Sequence, residues 1–377
     1  MAAGARPERP RRLVEAGRLT RLTASVGVLA LLAACAPQPK KGPETRAVLE
    51  RLVPKSIPDR GGWIQDLQAA FDALPVEATP SNVCAVLAVA EQESGFKSDP
   101  VVPDLPAITR REIERRAKSV GIPRPLVSGV LLLPSTTGES YGDRLDRVKT
   151  ERELSELYDD FIGRVPLGRK LFSGMNPVNT RGPMQVHVSF AERYAKTRNY
   201  PFPADEGIAA ALFSRRGSLY FGIAHLLDYE APYERPLYRF ADYNAGQYAS
   251  RNAAFQQALA VASGRSVTPD GALLPGRDDA PRAGNTESAA RSIATQLDLS
   301  EGAIRRALER EDDEDFQRTE LYRGVFELAA KKRGKPLPQA TLPKIRLEGP
   351  KISRPLTNEW FATRVEKRYQ RCMQSAK

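Results

Sequence analysis

The 377-residue sequence has few cysteines, few histidines and few strand signals. Its three cysteines, Cys35, Cys84 and Cys372, are too few for a disulfide-built scaffold. Its two histidines, His187 and His225, form no zinc-ligand pattern and read as structural residues. No phosphate-binding loop is present either, so no metal or cofactor is expected. The longest apolar stretch, Leu22 to Ala34, has 13 residues. A membrane-spanning helix needs about 20. Only Val127 to Leu133 reads as a β-like run, and there is no internal repeat. A mostly helical fold follows from this shortage of strand pattern.

Hydrophobic residues make up 41%, too many for a chain disordered throughout. The formal charge, 57 − 46 = +11, invites a nucleic-acid reading. Where the charge sits argues otherwise. Six arginines and two glutamates before residue 22 carry +4 of it. They precede the short apolar stretch, the pattern of an export signal over residues 1–34. The segment Leu32-Ala33-Ala34-Cys35 resembles a bacterial lipobox. That resemblance implies cleavage before Cys35, acylation of Cys35 and a lipid-anchored protein facing the periplasm. With Ala36 following, it implies the outer membrane of a Gram-negative bacterium. The remaining +7 then meets a cell wall or an anionic membrane, and no nucleic acid is expected as a partner. Residues 294–308 resemble a helix-turn-helix pair, but the acidic run Glu311 to Asp315 beside them would repel phosphate. With Cys35 set apart, Cys84 and Cys372 are either a disulfide pair or two small core residues.

Residues 35–47 read as a tether. Helices are expected at 45–53, 62–74 and from a cap at Ser81 or Asn82 to about Glu93, with Gly95 as the stop. Charged helices fit 107–119 and 143–163, and further helices 186–198, 205–230, 234–242 and 249–262. Residues 263–285 read as a loop. Helices resume at 286–310 and 316–333, an extended Pro- and Lys-rich piece covers 334–356, and a last helix fits 357–374.

Three segments carry chemistry: Glu91-Gln92-Glu93-Ser94-Gly95-Phe96, Gly182-Pro183-Met184-Gln185, and Tyr243-Asn244-Ala245-Gly246. In this order they resemble the Glu-Ser, Gly-Leu-Met-Gln and Tyr-Asn-Ala-Gly motifs of the soluble lytic transglycosylases, which have a lysozyme-like fold. The resemblance covers about 81–96 and 176–262, under a third of the chain. It implies an enzyme that cleaves peptidoglycan glycan strands between N-acetylmuramic acid and N-acetylglucosamine, leaving a 1,6-anhydro end. Glu93 would be the single acid and base, and Ser94, Met184, Gln185, Tyr243 and Asn244 would bind or steer around the sugar. The residue types suit that chemistry. A carboxylic acid can protonate a leaving glycosidic oxygen, and the C-terminal end of a helix favours its neutral form. Glu91 competes for the role but faces elsewhere on the helix.

Two departures from the family stand out. Pro183 replaces the usual Leu, and Glu93 and Gln185 lie 92 residues apart. The expected organisation is therefore a catalytic domain over 48–262 with a helical insertion at about 97–175, then a C-terminal helical extension over 286–377. The insertion would narrow substrate choice, cover the cleft or block it. A hydrolytic muramidase of the same fold would need a second carboxylate, for which Asp99 and Asp104 are candidates. A non-catalytic wall-binding lipoprotein is the third reading.

Overall fold

In the computed structural model, residues 42–164, 176–231, 233–275, 285–347 and 355–376 are described. The segment expected to be an export signal, 1–34, and Cys35 lie outside them. The chain is mostly helical. It opens with α1 (Gly42–Leu52), α2 (Arg60–Ala73) and α3 (Pro80–Ser94). Helix α1 starts inside the segment expected to be a tether. The cap of α3 is Thr79 rather than Ser81 or Asn82: Thr79 Oγ1 accepts from Asn82 N at 3.2 Å. Pro80 then fills the first helical position, where a missing N–H costs nothing. Gly95 ends the helix at φ 58°, as expected from sequence.

The insertion folds into α4 (Leu105–Ser119), α5 (Arg124–Leu131), α6 (Tyr141–Arg147) and α7 (Glu151–Arg164). Two expectations are corrected here. Val127 to Leu133 is helical for most of its length, because neighbouring strands to pair with are absent among the described residues nearby. The single helix expected at 143–163 is broken at Val148–Thr150, where Thr150 pairs with Val101 in an isolated bridge. Leu105, Tyr141, Leu145, Leu154 and Leu157 form a small core of their own, closed by Val178 and Phe213 from outside the insertion.

A two-residue hairpin follows, β1 (Thr180–Arg181) with β2 (Val186–His187), in the register Thr180↔His187 and Arg181↔Val186. Then come α8 (Val188–Thr197), α9 (Arg215–Leu227), α10 (Pro236–Ala245) and α11 (Ala249–Ser263). The C-terminal part contains α12 (Asn285–Arg291), α13 (Glu301–Leu308) and α14 (Glu320–Arg333). A second hairpin, β3 (Arg346–Leu347) with β4 (Leu356–Thr357), leads into α15 (Asn358–Ala376).

Helix α3 is apolar on nearly every face, Val83 through Ala90 being buried. A helix of that kind belongs inside a core, and α3 is packed by α1, α9 and α15. All described elements fall in one unit, Gly42–Lys377. Helix α15 returns to the first core, where Phe361, Val365 and Tyr369 join the residues of α2, α3, α9 and α10. Phe255 and Leu259 of α11 instead seed a second core with Ile304, Phe316, Leu321 and Val325. Cys84 on α3 and Cys372 on α15 are joined as a disulfide, their Cα atoms 5.5 Å apart. Among the described residues, no helix is long and apolar enough to cross a membrane.

Candidate active site

Glu93 is the penultimate residue of α3 and is half-buried. The chain behind it turns sharply. Gly95 N donates to Glu91 O at 3.1 Å, and both Gly95 (φ 58°) and Phe96 (φ 63°) are left-handed. That conformation is unusual for a bulky side chain. Burial holds it: the Phe96 ring sits edge-on to Trp63, centroids 5.3 Å apart. Ser94 is buried, and its hydroxyl donates to Ala90 O at 3.0 Å. It fixes the helix end. Glu91 is taken by the last helix, with Arg368 at 3.3 Å and Arg371 at 2.8 Å.

The second motif is the turn of the first hairpin. Gln185 N donates to Gly182 O at 2.9 Å across it. Gly182 (φ 71°) must be glycine, since a Cβ there would lie 2.2 Å from Leu212 O. Met184 N donates to Ser218 Oγ at 3.0 Å, which fastens the turn to α9. The Met184 side chain is fully buried, lying against Gly222 so closely that a Cβ at 222 would meet its sulfur at 2.4 Å. The expectation that Met184 lines an open cleft is corrected, because its thioether fills the core beside α9. Gln185 is itself left-handed (φ 50°). Its Nε2 donates to Glu151 Oε2 at 3.0 Å, and its Oε1 accepts from Thr180 Oγ1 at 2.9 Å.

Tyr243 joins the motifs. Its hydroxyl donates to Met184 O at 2.7 Å, inside the core. Burial pushes the phenol well above its ordinary pKa, and the negative charge of nearby Glu93 pushes it the same way. His225 Nε2 donates to Tyr243 O at 3.0 Å. The His225 ring lies between Phe190 (4.4 Å) and Tyr243 (4.9 Å), and its Nδ1 is buried with no hydrogen-bond partner. Burial pushes its pKa down to about 4, so it is a neutral spacer at neutral pH. Asn244 is exposed and reaches the last helix, Nδ2 donating to Asn358 Oδ1 at 2.9 Å, while Asn358 Nδ2 donates to Ala241 O at 3.1 Å.

Three residues of the site were not flagged by sequence. Glu151, at the start of α7, is the insertion's contact with Gln185. Nothing in its local sequence marks it. Asp99 and Asp104, the candidates for a second carboxylate, are placed otherwise: Asp99 faces Arg152 at 3.8 Å and Asp104 precedes α4. Asp242, one residue before the third motif, is buried and accepts from Tyr229 and Tyr233 hydroxyls at 3.1 and 2.7 Å and from Tyr248 and Ser250 amides at 3.1 and 2.6 Å. Burial pushes its pKa up to about 6 against those four bonds. Asn358 is the third. A cavity of about 770 Å³ lies elsewhere, rimmed by Asp228, Glu230, Glu309 and Asp312. Among the described residues, no group of three His, Cys, Asp or Glu side chains is arranged to hold a metal ion.

The chain belongs to the DUF1615 family, described as a protein of unknown function, whose model matches residues 56–375. That span takes in all three motifs, the insertion and nearly all of the last helix. It is also similar to "Uncharacterized protein YaiW" of Escherichia coli (strain K12), 48% identical over 353 residues, covering 93% of this chain and 96% of that protein. No solved structure matches.

Proposed function

We propose that the protein is a peptidoglycan lytic transglycosylase with a lysozyme-like core, anchored to the periplasmic side of the outer membrane by lipid on Cys35. The observation that carries the reading is the convergence of three motifs that are far apart in sequence. Tyr243 bonds the backbone of the Met184-Gln185 turn and lies within the field of Glu93. In this reading Glu93 protonates the glycosidic oxygen as the bond from the muramic acid C1 to that oxygen breaks. The resulting carboxylate takes the proton of the same sugar's 6-hydroxyl, whose oxygen bonds to C1. The nucleophile is intramolecular, so little orientational entropy remains to be lost. Tyr243 and Ser94 hold the backbone on which Gln185 and Glu93 stand, Gln185 braces its turn against Glu151, and exposed Asn244 meets the glycan.

The hydrolytic reading has one observation in its favour, a second carboxylate, Glu151, one hydrogen bond away from Gln185. Digestion of purified sacculi by the chain from residue 36 onward separates the readings. Anhydro-muropeptides, one water lighter than reducing-end products, are expected. Reducing-end products would assign hydrolysis through Glu151. Binding to sacculi without products would leave a wall-binding protein. Full activity in Glu93→Gln would sink both catalytic readings.

A further inference from the structure

Water meets an unusual amount of aliphatic surface on the insertion. The exposed large hydrophobic side chains among the described residues run from Val101 to Leu133. Six of them, Val120, Ile122, Leu126, Val130, Leu132 and Leu133, fall within fourteen residues and are 39% to 76% exposed. Helix α5 has no buried residue at all. Leu126 and Val130 follow the i, i+4 spacing that places them on one face, and Leu132 and Leu133 follow directly at the helix end. Leu131 turns the other way, toward the small core of the insertion. Such a helix, apolar on both faces and covered on one, is built to meet a second apolar phase.

The charge beside it names that phase. Helix α4 packs against α5. Residues 105–131 hold Arg110, Arg111, Arg115, Arg116, Lys118 and Arg124 against Glu112 and Glu114, a net of 6 − 2 = +4. Glu112 is shared between Arg115 and Arg116, Arg110 pairs with Asp146 and Arg124 with Glu114, so the surplus rests on Arg111, Lys118 and the Arg115–Arg116 pair. Aliphatic side chains rimmed by guanidinium and ammonium groups are the composition of elements that lie in the headgroup layer of acidic bilayers.

We propose that the α4–α5 edge is a docking surface for an anionic lipid bilayer. Leu126, Val130, Leu132 and Leu133 enter the acyl boundary, and Arg111, Arg115, Arg116 and Lys118 meet lipid phosphates. This surface does not depend on any role for Glu93. The chain from residue 36 onward keeps every described element and lacks Cys35, so lipid anchoring cannot contribute. It is expected to float with vesicles of phosphatidylethanolamine and phosphatidylglycerol, and not with phosphatidylcholine alone. Added salt is expected to weaken the binding. The double substitution Leu126→Asp, Leu132→Asp should weaken it by about tenfold or more. Arg111→Glu with Lys118→Glu should also weaken it. All four side chains lie on the surface, so far-UV circular dichroism should be unchanged. The proposal is overturned if the parent chain does not float at low salt, or if the aspartate variant floats as well as the parent. It is equally overturned if the chain dimerises through this face, seen as concentration-dependent sedimentation that the aspartate variant abolishes, without binding vesicles.

Discussion

Gln185 donates an amide hydrogen to Glu151 Oε2 at 3.0 Å, across 34 residues of chain. This bond links the insertion to the turn between the first hairpin's strands. The insertion is thereby part of the site's framework rather than an appendage beside it. The match of the family over 56–375, insertion included, agrees with that.

Glu151 is expected to position Gln185. Truncation in Glu151→Ala removes an acceptor of the charge-assisted class, which is worth about 1.5–3 kcal/mol, so sacculus cleavage should slow by roughly ten- to a hundredfold. Glu151→Gln keeps an acceptor oxygen and should retain most of the rate. Equal loss in both variants, measured as initial rate of muropeptide release, would mean that the charge itself is needed.

Tyr243→Phe keeps the ring and deletes the hydroxyl, leaving Met184 O buried without its partner. A loss of roughly 1–3 kcal/mol in urea unfolding is expected. An unchanged midpoint would show that the hydroxyl does not fasten the turn.

His225 and Asp242 are expected to oppose each other as pH changes. His225 in the fold, at about 4, lies below the ordinary histidine value of 6.5. Its contribution is present above pH 6.5 and is lost as pH falls through 4. Asp242, at about 6, lies above the ordinary 3.8. Its contribution is present below pH 3.8 and is lost as pH rises through 6. Each amounts to roughly 3 kcal/mol at most, and the two largely cancel between pH 4 and 6. Urea midpoints across that window should reveal the Asp242 slope in His225→Phe, with stability rising on acidification. Asp242→Asn should show the reverse slope. Parallel profiles for the two variants would refute the assignment.

Reduction of the Cys84–Cys372 disulfide should lower stability by roughly 2–5 kcal/mol, because the bond closes a loop with a sequence separation of 288. Scanning calorimetry with and without reductant measures it. A thiol count under denaturing conditions should find neither cysteine free in the oxidised chain. The same reduction should loosen α15, whose Arg368 and Arg371 hold Glu91.

Much of the local structure was legible in the sequence. The apolar run Val83 to Ala90, with Gly95 beyond it, contains the information for a buried helix that stops after Glu93. Backbone propensity and apolar periodicity act over a few residues, so such elements can be read directly. Their exact limits depend on finer competition: Thr79 captured the cap because Pro80 follows it, and α1 began three residues early. Helix α5 differs from the β-like expectation because β-branched and leucine-rich runs of seven residues suit a strand or a helix equally, and only the available neighbours choose.

The sequence by itself determined that the chain is mostly helical, that three short motifs occur in a set order, and that two cysteines remain once Cys35 is set apart. Only the tertiary structure decided that those two cysteines meet, that α15 returns to cover α3, that Met184 fills the core while its carbonyl holds Tyr243, and that the carboxylate beside Gln185 is Glu151. The physical reason is range. Hydrogen-bond geometry and side-chain periodicity are written into neighbouring residues. A contact between residues 34 to 288 positions apart exists only after packing has set the path of everything between them.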